Sequence, residues 1–259
     1  MAEWIIGRNP VLEVLRANRR ELHQVAAANN LTVDDQVQRI FNLAAKLKVP
    51  VNRVDRGQLD AYGQPHQSLA VQVGDYVYSD LTEMLDKADR EGEPLFILAL
   101  DVLKDPQNLG TLVRTAEAVG VHGIILPYRR TATVTPAVVS SSSGASEHML
   151  IAQANLAQTL SLLKEEGAWI YGLEGSEEGQ PPTELDFSGP VVVVVGSEGE
   201  GMRHLVRSSC DFLLALPMRG KIESLNAAVA GSVALYLIWQ EKGFSPGRIR
   251  DSIDDHFES

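Results

Sequence analysis

Val191-Val-Val-Val-Val195-Gly196-Ser197-Glu198-Gly199-Glu200-Gly201-Met202 carries the reading of the fold. Five valines in a row leave no polar face, so this strand must be covered on both sides, as strands of a parallel α/β sheet are. It runs straight into Gly196, Gly199 and Gly201, where backbone groups can approach a ligand closely. Outward from it, similar apolar runs at 95–100, 123–126, 169–173 and 212–216 alternate with helical patterns at about 109–119, 135–142, 156–166, 202–208 and 225–239. The pattern predicts a parallel α/β domain over 94–243, with ligand loops at the C-terminal strand ends.

Residues 1–79 read as a separate small α/β unit. Strands are expected at 4–6, 22–28, 50–54 and 69–73, and helices at 10–17, 34–47 and 56–61. This unit holds nine basic and eight acidic residues, whereas residues 80–259 hold 14 basic and 26 acidic. The net charge of −11 therefore sits in the second part, clustered at 80–93, at 174–186 and beyond residue 241. Those stretches are expected to be a linker containing a short helix at 81–88, a solvated loop and, over 244–259, an acidic tail. With 44% hydrophobic residues the chain has material for a real core, which excludes global disorder. The charge balance excludes a wholesale nucleic-acid coat protein, so an RNA partner needs a local basic cleft whose affinity falls with added salt.

One cysteine, Cys210, excludes an intramolecular disulfide and a multi-cysteine zinc site; it reads as inert core beside a strand. The six histidines lack metal-ligand spacing, so no metal is expected. The N-terminus lacks the pattern of a secretory signal and no apolar run is long enough to span a membrane, which reads as a cytoplasmic protein. The run Ser140-Ser-Ser-Ser-Gly-Ala-Ser146 reads as a small-residue helix and turn, and no nucleophile elbow or Walker loop is present.

Three segments that follow strands could carry chemistry. In Asp101-Val-Leu-Lys-Asp-Pro-Gln-Asn108-Leu-Gly110-Thr-Leu-Val-Arg114, both Asn108 and Arg114 could face the strand end. Arg114 is there either a phosphate clamp or a solvent-facing helix residue. In the glycine segment, the order Gly-x-x-Gly-x-Gly differs from a dinucleotide fingerprint, and Glu198 and Glu200 would repel a pyrophosphate. An adenosine or sulfonium ligand tolerates those carboxylates; a sharp strand-to-helix turn is the other reading. In Leu216-Pro-Met218-Arg-Gly220-Lys-Ile-Glu-Ser224-Leu225-Asn226, Ser224 is the expected helix N-cap. Asn226, in an apolar Ala/Val helix, needs a ligand or another loop as hydrogen-bond partner.

In this order the three segments resemble the motifs of the SpoU (TrmH-like) RNA 2′-O-ribose methyltransferases. Ile6-Gly7-Arg8-Asn-Pro-Val11 and Pro65-His66-Gln67-Ser68-Leu-Ala-Val71 resemble the RNA-binding domain of the bacterial 23S rRNA guanosine-2′-O-methyltransferase subgroup, which is similar to ribosomal proteins of the L30e/L7Ae type. Departures are mild: Thr111, Ala227 and Ala228, and Ser68 where the subgroup commonly has glycine. The resemblance implies a parallel sheet with a C-terminal trefoil knot, S-adenosylmethionine as cofactor, ribosomal RNA as partner, and a homodimer with the site at the subunit interface. It implies a catalytic set of Asn108, Arg114, Glu198, Ser224 and Asn226. Cofactor contacts fall on Val195, Gly196, Ser197, Gly199, Leu216, Met218, Ser224, Leu225 and Asn226. RNA contacts are expected at Arg8, Arg53, His66, Arg114, Arg129 and Arg130.

Overall fold

The computed structural model describes residues 2–176, 178–222 and 224–243; the expected acidic tail, 244–259, lies outside the described residues. The chain runs β1 (Glu3–Ile6), α1 (Arg8–Ala17), β2 (Leu22–Ala28), α2 (Asp35–Lys46), β3 (Val51–Val54), α3 (Arg56–Tyr62) and β4 (Leu69–Val73). These four strands form one sheet in the order β1-β4-β2-β3, with β4 antiparallel to both neighbours and β3 parallel to β2.

The chain continues through α4 (Leu81–Glu91), β5 (Phe96–Leu100), α5 (Pro106–Ala118), β6 (Gly123–Pro127), α6 (Pro136–Ser141), a 3₁₀ turn (Ala145–Glu147) and β7 (Ile151–Ala154). Next come α7 (Leu156–Glu165), β8 (Trp169–Leu173), a second 3₁₀ turn (Pro182–Glu184), β9 (Val191–Val195), α8 (His204–Arg207), β10 (Phe212–Leu214) and α9 (Ala227–Glu241). The second sheet has six parallel strands in the order β10-β8-β9-β5-β6-β7. The five-valine strand is central, paired with β5 on one side and β8 on the other. Its residues divide by alternation: Val191, Val193 and Val195 enter a core shared with α5, α6 and α9, and Val192 and Val194 enter one shared with α4, α7 and α8. Both faces are covered, which is why no polar residue interrupts the run.

Four findings differ from the sequence reading. The helix expected at 81–88 is present as α4, three residues longer, but it is not merely linker: its Met84 and Ala88 are buried in the second core while the carboxylates face outward. β7 carries too short an apolar pattern to be read as a strand, and it forms because β6 offers it a free edge. α9 begins at Ala227, capped by Asn226 and not Ser224: the Asn226 side chain accepts from the backbone N–H groups of Ala228 (2.9 Å) and Val229 (3.1 Å). β10 stops at Leu214, two residues short of the expected end. No helix among the described residues is long and apolar enough to cross a membrane.

Candidate active site

Strand order reverses between β5 and β9, with β6 and β7 lying outward of β5 and β8 and β10 outward of β9. In open α/β sheets such a switch point leaves a crevice at the C-terminal strand ends. The loops after β8, β9 and β10 close around one cavity of about 520 Å³ at this edge. All nine residues expected to contact a cofactor line it: Val195, Gly196, Ser197, Gly199, Leu216, Met218, Ser224, Leu225 and Asn226.

The loop after β9 is a tight hairpin. Ser197 and Gly201 exchange both backbone hydrogen bonds, at 3.0 and 3.1 Å. A Cβ on Gly196 would lie 2.4 Å from the Gly201 carbonyl carbon and 2.5 Å from the Met202 nitrogen, so only glycine fits there. The hairpin is tied down by a pairing that local pattern does not reveal. The fully buried carboxylate of Asp101 accepts from the Arg203 backbone N–H at 2.7 Å and from its Nε at 2.8 Å.

At the cavity mouth the three segments meet. The Asn108 amide donates to the Glu198 carboxylate at 2.8 Å, and the Asn226 amide donates to the same Glu198 oxygen and to Asn108 Oδ1, the latter at 3.2 Å. Both oxygens of the Asn226 and Asn108 amides are thereby used, one in capping α9 and the other in accepting from Asn226. These amides carry no strong acid or base; they hold one carboxylate at a fixed place on the rim. α5 opens one turn earlier than expected, at Pro106, with the Asp105 side chain capping it at 3.0 Å from Gln107 N, which puts Asn108 in the first turn. Arg114 lies six residues on and turns elsewhere: its guanidinium donates to Ser143 Oγ at 3.2 Å. The sequence reading of Asn108 and Arg114 as facing one point is thus corrected, since six residues are 240° around a helix.

Glu174, after β8, also lines the cavity and was missed by sequence reasoning. Arg207 grips it with two bonds of 2.8 and 3.1 Å, and that fork holds its carboxyl below the usual carboxylate range. Glu198 and the Arg207-paired Glu174 place carboxylates at the cavity, whose wall mixes the apolar Leu173, Leu216, Leu225 and Ala230 with the polar Ser197, Ser224 and Asn226.

Of the arginines expected to meet RNA, Arg129 and Arg130 are exposed on the loop after β6. Arg8 is paired with Asp34, and Arg53 donates to the Ala28 carbonyl at 3.0 Å while lying over the Phe41 ring. His66 does not fit the expectation. It is buried, Nδ1 accepts from Ser68 N at 2.9 Å, and Nε2 meets Asp60 at 3.1 Å, so neither nitrogen is left for a phosphate. Cys210 is part-buried and burial pushes its thiol up to about 12, so it stays protonated and unreactive.

Glu91, Glu93 and His122 come close enough together to suggest a cation site. Nδ1 of His122 accepts from Phe96 N at 2.9 Å, which places the ring proton on Nε2, the atom facing Glu91. A metal would need that proton removed and the Nδ1 bond surrendered. Through Nδ1 the histidine ties the turn before β6 to the start of β5.

The model of the SpoU rRNA Methylase family matches residues 95–236. The chain belongs to this family. The model for the substrate-binding region of RNA 2′-O ribose methyltransferases matches residues 4–79. As a SpoU protein the chain is an RNA 2′-O-ribose methyltransferase. The Bacillus subtilis protein YacO, assigned to the TrmH family of tRNA/rRNA methyltransferases, is 41% identical over 93% of this chain and 96% of its own length. The 23S rRNA (guanosine-2′-O-)-methyltransferase RlmB of Pseudomonas aeruginosa is 39% identical over 93% of this chain and 98% of its own. Among solved structures, the SpoU methyltransferase AviRb from Streptomyces viridochromogenes in complex with AdoMet superposes with a TM-score of 0.76 at 21% identity, covering 94% of this chain and 91% of that one. The SpoU fold is thereby the fold of this chain.

Proposed function

We propose that the chain methylates the 2′-hydroxyl of a ribose in ribosomal RNA, a guanosine of 23S rRNA, using S-adenosylmethionine held in the cavity between the loops after β8, β9 and β10. The observation that carries this reading is the joining of Asn108, Glu198 and Asn226, from three distant segments, at the mouth of that cavity. The lining fits the cofactor: Leu173, Leu216, Leu225 and Ala230 offer apolar surface to an adenine, the loop at Ser197 and Gly199 offers backbone groups, and the Glu198 carboxylate on the rim suits a cation. When bound, S-adenosylmethionine supplies a methyl group made electrophilic by its sulfonium.

The chain's own residues do the rest. Leu216, Leu225 and Ala230 exclude water and fix orientation, the largest aid to an in-line displacement. Asn108 and Asn226 hold Glu198 on the rim, where its carboxylate would stabilise a bound cation. Arg114 clamps the RNA phosphate and orients the 2′-hydroxyl; a guanidinium is a poor base, and the adjacent RNA phosphate takes the proton. Ser224 lies beside this set on the cavity wall.

The division we propose is an L30e/L7Ae-like RNA-binding unit over 1–79 and a methyltransferase unit over 94–243 whose C-terminal part is threaded as a trefoil knot, with the connecting residues 80–93 packed on the second unit through α4. Arg8, Arg53, Arg129 and Arg130 would flank the RNA. A homodimer is supported by α9, where Val229, Val233 and Tyr236, spaced four and three residues apart, are 41–47% exposed on the face opposite the buried Ala228, Leu235 and Ile238. Tyr236→Asp is expected to shift the chain from dimer to monomer in light scattering; an unchanged mass would rule out this face.

The deciding experiment is incubation with labelled S-adenosylmethionine and rRNA from cells lacking the enzyme, followed by mapping of the methylated ribose. Label on one 23S guanosine is expected, with binding that weakens as salt rises. Label on tRNA alone would refute the rRNA assignment and leave the reaction standing.

A further inference from the structure

The serine run 140–143 and the turn after it have no part in the cavity, yet they touch the two units of the chain on opposite sides. Toward the second unit, Ser141 Oγ donates to the Pro106 carbonyl at 3.1 Å, at the start of α5, and Ser143 Oγ accepts from the Arg114 guanidinium at 3.2 Å. Toward the first unit, Gly144 (φ +88) is pressed so closely on α1 that a Cβ would lie 2.6 Å from Glu13 Cβ. Three residues on, the Glu147 carboxylate takes both Nε (3.0 Å) and Nη2 (2.7 Å) of Arg20, and both side chains are fully buried. Tyr76, whose ring the Arg20 guanidinium covers at 4.7 Å, donates to the Ser146 carbonyl at 2.9 Å. One hydrophobic cluster runs through this contact from Ile5 and Val11 to Val138, Val139 and Ala145, so the two units are packed as one body here.

A buried ion pair adds little net stability compared with apolar packing, and its best-attested use is to fix one arrangement against alternatives. Ser143 itself sits at φ +54, a left-handed conformation that serine adopts rarely, so its hydroxyl is aimed by the backbone of the turn. We infer that residues 140–149 relay the seating of the RNA-binding unit to Arg114: Arg20 and Glu147 fix the turn, the turn fixes Ser143, and Ser143 sets where the Arg114 guanidinium stands. Arg20, Glu147 and Ser143 are positioning residues for methyl transfer, outside the cavity and without contact to the cofactor. The consequence is that RNA held by the first unit meets an arginine already in register, rather than one that must search. This inference rests on Arg114 acting at the RNA, as proposed above.

The test uses the full-length enzyme with Ser143→Ala and Glu147→Gln. Both should lower kcat roughly tenfold, as small misplacements at a reacting centre do. KM for RNA and the affinity for S-adenosylmethionine should stay within about twofold of the parent. The Arg114 Nε–H resonance, assigned by its loss in Arg114→Ala, should shift in both variants. Where Glu147→Gln fails to fold by circular dichroism, Arg20→Lys, which keeps the charge and loses the fork, takes its place with the same expectation. Unchanged kcat in Ser143→Ala, or a fall in kcat with the Arg114 resonance unmoved, would overturn the relay. Full turnover by Arg114→Ala, with the resonance shifting in the other variants, would instead refute the role of Arg114 and leave the mechanical coupling in place.

Discussion

Arg114→Ala is expected to cut methyl transfer by about 10²–10³-fold while leaving S-adenosylmethionine affinity unchanged. The guanidinium lies outside the cavity, bonded to Ser143 and not to any of the loops that line it, so the cofactor site does not lose a wall. On the role proposed above, what is lost is the cation that clamps the RNA phosphate and orients the 2′-hydroxyl. Removing one preorganised donor from a reacting centre typically costs roughly 10²–10³ in kcat, about 3–4 kcal/mol. Arg114→Lys keeps the charge but not the planar fork, so it should recover only part of the rate. Single-turnover kinetics with labelled cofactor, alongside calorimetry for its binding, separates the two quantities. Full activity in Arg114→Ala would sink the assignment; a parallel loss of cofactor affinity would place the residue's role in the fold of α5.

Elements built on local pattern were legible. The five-valine strand, the other four long apolar runs of the second unit and the seven elements of residues 1–79 follow from alternation and helical spacing, and their observed bounds differ by a few residues at most. Two of the cavity's loops stood out as glycine-containing segments after strands, and the family resemblance supplied their individual residues; the third loop, with Glu174, was not legible. What pattern could not give were partners far apart in the chain. Asp101 and Arg203 are 102 residues apart, Glu174 and Arg207 are 33, and Arg20 and Glu147 are 127. The first two pairs are brought together by a non-sequential strand order, and the third by the packing of the two units against each other. The cap of α9 shows the same limit at short range. Ser224 and Asn226 are both good caps, and what decides between them is that Asn226 can cap with its oxygen and still reach Asn108 and Glu198 with its nitrogen. His66 was misread for the opposite reason: its neighbours Asp60 and Ser68 are close in sequence, yet burial, which converts a plausible phosphate ligand into a tie within the turn, is invisible to the motif.

Gly196→Ala should abolish measurable cofactor binding while leaving the sheet folded. The added methyl would meet backbone atoms of Gly201 and Met202 at 2.4–2.6 Å, and backbone cannot rotate away as the tip of a side chain can. To make room, the hairpin must part at the Ser197–Gly201 bridge. That movement carries Glu198 off the rim, so its bonds to Asn108 and Asn226 go with it. Overpacking of this kind costs typically about 1–3 kcal/mol. Relief of the clash is confined to the loop, because β9 is held on both sides by β5 and β8 and Asp101 still grips Arg203 beyond the hairpin. The expected signature is therefore a split. Circular dichroism should be unchanged, the melting temperature should fall by a few degrees, at roughly 2–4 °C per kcal/mol for a chain of this size, and cofactor affinity should drop by at least a hundredfold. Gly199→Ala is the internal comparison: its φ of +85 makes alanine strained there, but a Cβ would meet nothing within 4 Å. Backbone strain alone should weaken binding far less than a collision with the hairpin's own backbone. Equal losses in the two variants would mean that loop flexibility, and not the closeness of Gly196 to Gly201, governs the site.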